Sequence, residues 1–286
     1  MTAADPALPA DLRSRVLDAA RRARAAGDTV PAVPVISPVD AFSRAAGALY
    51  RTLRELDAAD WRRPTLRDLD VQGLVGHLTG VEEDVQRCLA GDPAVAEAEH
   101  VASTQAAAIR QAHLRPAQTI AEWRRTVSRT LALLATRDDL GAWVAMHGTR
   151  LPLHALLVVR AFELWTHEND IRLVSRLPLS APDPSTLRLM TALVAGLLPT
   201  VAAGAGLPGP ARLHLVLTGP GGGTWDLEID GDARPEPATM SIVTDAVGFC
   251  RLAADRVTPA QLTVLTSGDR EQAAGVLAAT ALLALD

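Results

Sequence analysis

The chain has 286 residues, of which 48% are hydrophobic and 21% charged; that supports a folded core of one large or two modest domains and excludes a disordered chain. Its formal net charge of −5 leaves no basic excess to hold a polyanion, so neither a nucleic acid nor an anionic membrane is expected as partner. There is no lysine and there are only two cysteines, Cys88 and Cys250, which rules out Schiff-base and P-loop lysine chemistry, a disulfide framework and a multi-cysteine zinc site.

Residues 1–36 read as an N-terminal extension: an Arg-rich, helical stretch over 12–25, then Pro31, Pro34 and Pro38. The first ten residues are acidic and lack the basic and apolar regions of a secretory signal, and no run of ~18 apolar residues suggests a membrane span. A cytoplasmic protein is therefore expected.

Residues 37–176 read as helices joined by loops. Helical spacing of apolar residues predicts helices over 39–56, 71–89, 117–136 and 152–175, with Asp70 as N-cap of the second and Pro152 in the first turn of the fourth. Four helices of this length suggest a four-helix bundle, with an unusually long connection over 137–151. His100 and His113 fall in what reads as a polar loop. The five tryptophans default to core positions.

A Pro-rich linker over 177–184 follows the bundle and opens the C-terminal α+β part, residues 177–286. There, a helix over 185–201 precedes an alternating strand 212–218, a turn 219–223, a second strand 225–229 and a third over 239–243. Helices over 245–256 and 270–285 close the chain. This predicts a small α+β domain with a short antiparallel sheet. The glycine run at 219–223 lacks a following lysine and reads as a hairpin turn, not a phosphate loop.

Chemistry concentrates in the fourth predicted helix, Arg160-Ala-Phe-Glu163-Leu-Trp-Thr-His167-Glu-Asn-Asp170. At ~100° per residue, Arg160, Glu163, His167 and Asp170 share one face. Leu156, Val159 and Val174 extend that stripe, so the face points inward. Burying four ionisable groups costs several kcal/mol each unless they are paired or bind metal. Glu163 and His167 can ligate one cation. His77, in Gly76-His77-Leu78 of the second helix, supplies a third donor, and Gly73, Gly76 and Gly80 around it suggest close helix packing or room for a ligand. His, Glu and His with an open fourth position suit zinc; nickel or iron(II) fit the same donors. Asp170 and Arg160 would stand behind the ligands, and Glu82 is a plausible partner for Arg160 or for a ligand histidine. An E-x-x-x-H pair also occurs as a solvated pair on a helix surface, and that reading stays open on spacing alone.

These residues carry a resemblance. Trp61 with Pro64-Thr65, Leu74-Val-Gly-His77-Leu, the Arg160, Glu163, His167, Asp170 pattern, and the stretch from Ser241 to Arg256 resemble the mycothiol-dependent maleylpyruvate isomerase family, within the wider DinB-like metal-binding bundles. The resemblance implies a DinB-like bundle followed by a sterol-carrier-like α+β domain. It implies a divalent metal on His77, Glu163 and His167, and mycothiol as a thiol cosubstrate beside it. It also implies an arginine from the second domain, by position Arg256, although the local pattern Cys250-Arg-Leu-Ala-Ala-Asp-Arg256 differs from the family's. The expected activity is thiol-dependent isomerisation or S-transfer on a small electrophile, with Arg256 or Arg160 holding a carboxylate. A non-catalytic metal-binding module and a metal-dependent hydrolase are the alternatives.

Overall fold

The computed structural model describes residues 32–207, 211–229 and 238–284. The helix expected over 12–25 lies outside them. The described residues from Pro34 onward form one compact unit.

The four expected helices are present: α1 (Pro38–Glu55), α2 (Val71–Leu89), α4 (Pro116–Leu134) and α5 (Leu153–Val174). Local signals set their ends. Ser37 and Asp40 form a reciprocal capping box on α1, and the Asp70 carboxylate accepts from Gly73 N at the start of α2; each satisfies amides that have no helical partner. Pro152 stands one place earlier than expected, at the cap of α5 instead of inside its first turn.

Two elements depart from expectation. The supposed loop around His100 is a helix, α3 (His100–Ala112), lying along α2. The long connection over 137–151 contains a hairpin, β1 (Trp143–Met146) and β2 (Thr149–Pro152). Its two-residue turn, His147-Gly148, has positive φ at both positions, 52° and 72°, the geometry that matches strand twist in tight hairpins. Trp143 on this hairpin is 62% exposed and stacks against Arg150, so it is not a core residue.

The glycines of α2 explain where α3 sits. A Cβ on Gly76 would come 2.7 Å from the Ala108 backbone, closer than real contacts allow. The two helices touch backbone to backbone, which requires glycine on one side and small residues on the other. Of the two readings left open for these glycines, the structure selects close packing.

Helix α6 (Pro184–Gly204) joins the bundle to the C-terminal layer. It packs on α1 and α5 on one side, and on β4 (Gly223–Ile229), α7 (Ala246–Ala253) and α8 (Arg270–Thr280) on the other. Leu187, Met190, Val194 and Leu198 are buried along it, each contributing about 1.5–3 kcal/mol over exposure. Among the described residues it is the one helix long and apolar enough to cross a membrane.

The sheet orders its strands β4-β3-β5-β6, from β3 (Ala211–Thr218), β4 (Gly223–Ile229), β5 (Met240–Asp245) and β6 (Leu265–Gly268). Leu213, Leu215 and Leu217 face the core, as their alternation requires. The sheet is mixed, not purely antiparallel: β3 pairs antiparallel with β4 but parallel with β5. Alternation looks the same in either direction, so the pattern does not reveal this. One continuous apolar core runs from Phe42 in α1 to Leu277 in α8. The architecture is a DinB-like helical bundle followed by a small α+β layer.

Candidate metal centre

α2 and α5 bring His77, Glu163 and His167 together: one donor atom from each lies within 4.8 Å of the others. His77 Nε2 stands 3.5 Å from Glu163 Oε1. The two histidines are almost fully buried, at 2% and 1% exposure.

The hydrogen bonds fix which atoms face inward. The Thr104 hydroxyl donates to backbone carbonyls of α3, so its oxygen accepts from His77 Nδ1 at 2.7 Å. The Asp170 carboxylate accepts from His167 Nδ1 at 2.9 Å. Each neutral ring then presents a bare Nε2 to the centre. His77 Nε2, His167 Nε2 and Glu163 Oε1 are buried and have no hydrogen-bond partner. Three converging lone pairs with no proton between them are unfavourable in a dry interior, and a shared cation relieves that. The donor set therefore fits a divalent metal.

Electrostatics around the carboxylate support the same state. Burial by itself raises the Glu163 carboxyl, but the Arg160 guanidinium and the surrounding histidines hold it well below the usual range. Arg160 is fully buried. Its Nε and Nη2 donate to Glu82 Oε1 at 3.0 and 2.8 Å, and its Nη1 donates to Glu163. Glu82 is the partner expected for it, and Thr130 also donates to that carboxylate. Arg160 is thus directed at two protein carboxylates and reaches the centre through Glu163. Burial pushes the His77 imidazole down, favouring its neutral, ligating form.

Arg256 arrives from the other layer. α7 ends at Ala253 with Ala254 as its cap, and the next residue, Asp255, has a φ of 52°; Arg256 N then donates back to Arg251 O at 2.9 Å, the closure of a left-handed helix cap. The turn aims the guanidinium at Asp170, with Nε on Oδ1 at 2.8 Å and Nη2 on Oδ2 at 3.0 Å. Asp170 thereby links the second layer's arginine to His167. Burial opposes ionisation of Asp170, but bonds from His167 and Arg256 hold its carboxyl below the usual value.

One residue of the centre was missed in the sequence. His100, at the start of α3, places Nε2 3.6 Å from Glu163 Oε1 and sets its ring edge-on to His77. Behind it stands His147 of the hairpin turn, held in turn by Asp84. Burial pushes the His100 imidazole down to about 4. His154, by contrast, is exposed, and its ring faces the Leu140 carbonyl at 3.1 Å.

Residues 42–172 match the mycothiol maleylpyruvate isomerase N-terminal domain. Among solved structures, the chain is similar to a mycothiol-dependent maleylpyruvate isomerase, at 17% identity and a TM-score of 0.57, covering 81% of this chain and 93% of that one. A histidine-to-alanine variant of a mycothiol-dependent maleylpyruvate isomerase is similar at 16% identity and a TM-score of 0.54, with the same coverage of 81% and 93%. No curated protein matches the chain. Residues 42–172 thus carry a domain of the mycothiol maleylpyruvate isomerase N-terminal type, on a fold shared with those solved structures.

Proposed function

We propose that this chain is a metal-dependent isomerase that uses mycothiol on a small unsaturated acid, with the cation held by His77, Glu163 and His167. The observation that carries the reading is the set of three buried, unpartnered donors converging from α2 and α5. When bound, a divalent cation, zinc first among those the donors suit, lets a thiol be held as thiolate at neutral pH.

The chain's own residues do the rest. Thr104 and Asp170 hold the two imidazoles in the ligating tautomer. Arg160 keeps Glu163 ionised, and Glu82 balances the arginine's second side. Arg256, 22% exposed and paired with Asp170, is a partly open cation near the centre and the candidate to attract a substrate carboxylate. A thiolate that adds to a cis double bond converts it to a single bond. Rotation and expulsion of the same thiol restore the double bond as trans, with the thiol regenerated. If the enolate formed by addition instead takes up a proton from water and the thioether is released, the outcome is S-transfer.

Thermal melting tests the reading. Metal-stripped protein should gain stability with zinc, and mycothiol should add a further gain only when zinc is present. A ligand at 100 times its Kd adds about 2.7 kcal/mol. The loaded protein should then convert maleylpyruvate, the substrate named for the similar structures, to its trans isomer. A thiol response without zinc, or none with it, contradicts the proposal.

A further inference from the structure

His100 belongs to the centre but lies outside the three-donor set. The distance from its Nε2 to Glu163 Oε1, 3.6 Å, nearly equals the 3.5 Å from His77 Nε2 to the same oxygen. Both approach the donor-to-donor edge of a tetrahedral zinc site, about 3.4 Å for bonds of 2.0–2.1 Å. His100 also stands at the more open edge, its side chain 12% exposed against 2% for His77.

A chain of hydrogen bonds decides which atom His100 presents. Asp84 accepts from Arg87 through Oδ1 at 3.0 Å and, as a carboxylate, can only accept. His147 Nε2, 2.9 Å from Asp84 Oδ2, is therefore the donor. With its ring proton on Nε2, His147 presents Nδ1 as an acceptor 2.9 Å from His100 Nδ1. His100 Nδ1 must donate, and its Nε2 is left bare and facing Glu163.

All three histidines thus follow one plan, with Nδ1 tied back to Thr104, Asp170 or His147 and Nε2 turned inward. Metal-ligating histidines almost always donate their other ring nitrogen in this way. The fold also holds the support in place. His147 adopts a positive φ that residues other than glycine rarely take. Its backbone N–H is pinned to Val95 O at 3.0 Å, and that of Gly148 to Ala96 O at 2.7 Å.

We propose that His100 is a fourth, exchangeable protein ligand, supported by His147 and Asp84, which closes the resting centre and yields its position to an incoming thiol. The proposal rests on reading His77, Glu163 and His167 as a metal centre.

X-ray absorption of the zinc-loaded full chain counts the imidazoles directly. Three per zinc are expected in the unaltered protein and two in His100→Ala. Cobalt(II) loaded alone should give a different visible spectrum in His100→Ala and in His100→Gln, and chelator competition should show at least tenfold weaker binding. His147→Ala should keep three imidazoles while weakening affinity about tenfold. Two imidazoles in the unaltered protein, with an unchanged cobalt spectrum in both His100 variants, would overturn the proposal. His77→Ala separates the two levels. If it empties the site while the His100 variants change nothing, only the fourth ligand is refuted; if it leaves metal bound in full, the centre itself is.

Discussion

The middle of the bundle and the layer under the sheet are both dry, but they are built from opposite materials. Under the sheet, Leu213, Leu215, Ile242, Phe249 and Val276 bury apolar surface alone. In the bundle, Glu82, Arg160, His77 and His167 are buried with them, and Glu163 and Asp170 sit just beneath the surface. An apolar layer gains free energy from every contact and needs no particular partner. The charged layer is stable only if each group meets its complement, which is why the Glu82–Arg160–Glu163 and His167–Asp170–Arg256 chains exist. The first material makes a platform, and the second makes a place for chemistry.

The contrast can be broken at its charged side first. Arg160→Met leaves Glu82 buried without its cation and should lower stability by about 3–5 kcal/mol in urea melts. Adding Glu82→Leu should recover most of that loss, because the uncompensated charge goes with it, yet metal binding should stay weakened since Glu163 has still lost Arg160. Recovery of both together would show that Arg160 does not act on the centre. On the apolar side, Leu215→Ala should cost about 2–5 kcal/mol through a cavity, while the metal affinity of the folded fraction stays unchanged. Gly76→Ala drives a methyl into the α3 backbone and should cost about 1–3 kcal/mol; because it shifts the helix bearing His100 and Thr104, metal affinity should fall as well.

The smallest effect concerns the cap of α6. Asp183 accepts from Ser185 N and Thr186 N, and Asp183→Ala should cost about 1 kcal/mol at neutral pH. Burial by itself would raise the Asp183 carboxyl, but bonds from Thr186 and Arg44 hold it below its ordinary 3.8. The folded state therefore favours the ionised form. This stabilisation is complete above the ordinary value and is lost as pH falls through the depressed one. The gap between variant and parent should be constant from pH 7 to 5 and close in more acidic solution.

What was legible in the sequence follows from the same physics. α2 is read to the residue, because large apolar side chains mark its buried stripe and Asp70 marks its start. The sheet's inward face is read from the leucines of β3. α3 is invisible to that test. Its buried residues, Thr104, Ala107, Ala108 and Gln111, do fall at helical spacing, but they are small or polar, because they meet glycine and not a groove between large side chains. Pairing that stripe with the glycines of α2 was the available signal. His100 was lost with its helix. His147 carries no signal of its own in the sequence, because its role depends on a left-handed turn and on segments distant in sequence. Arg256 was found by resemblance; nothing in its spacing announces that the αL turn at Asp255 swings it onto Asp170.

The central claim is that α2 and α5 jointly hold one divalent ion. Elemental analysis of the purified chain after zinc loading and removal of excess metal, side by side with His77→Ala, tests it most directly. The account predicts one zinc per chain in the parent and a nearly empty, folded variant; equal zinc in both, or none in either, would contradict it.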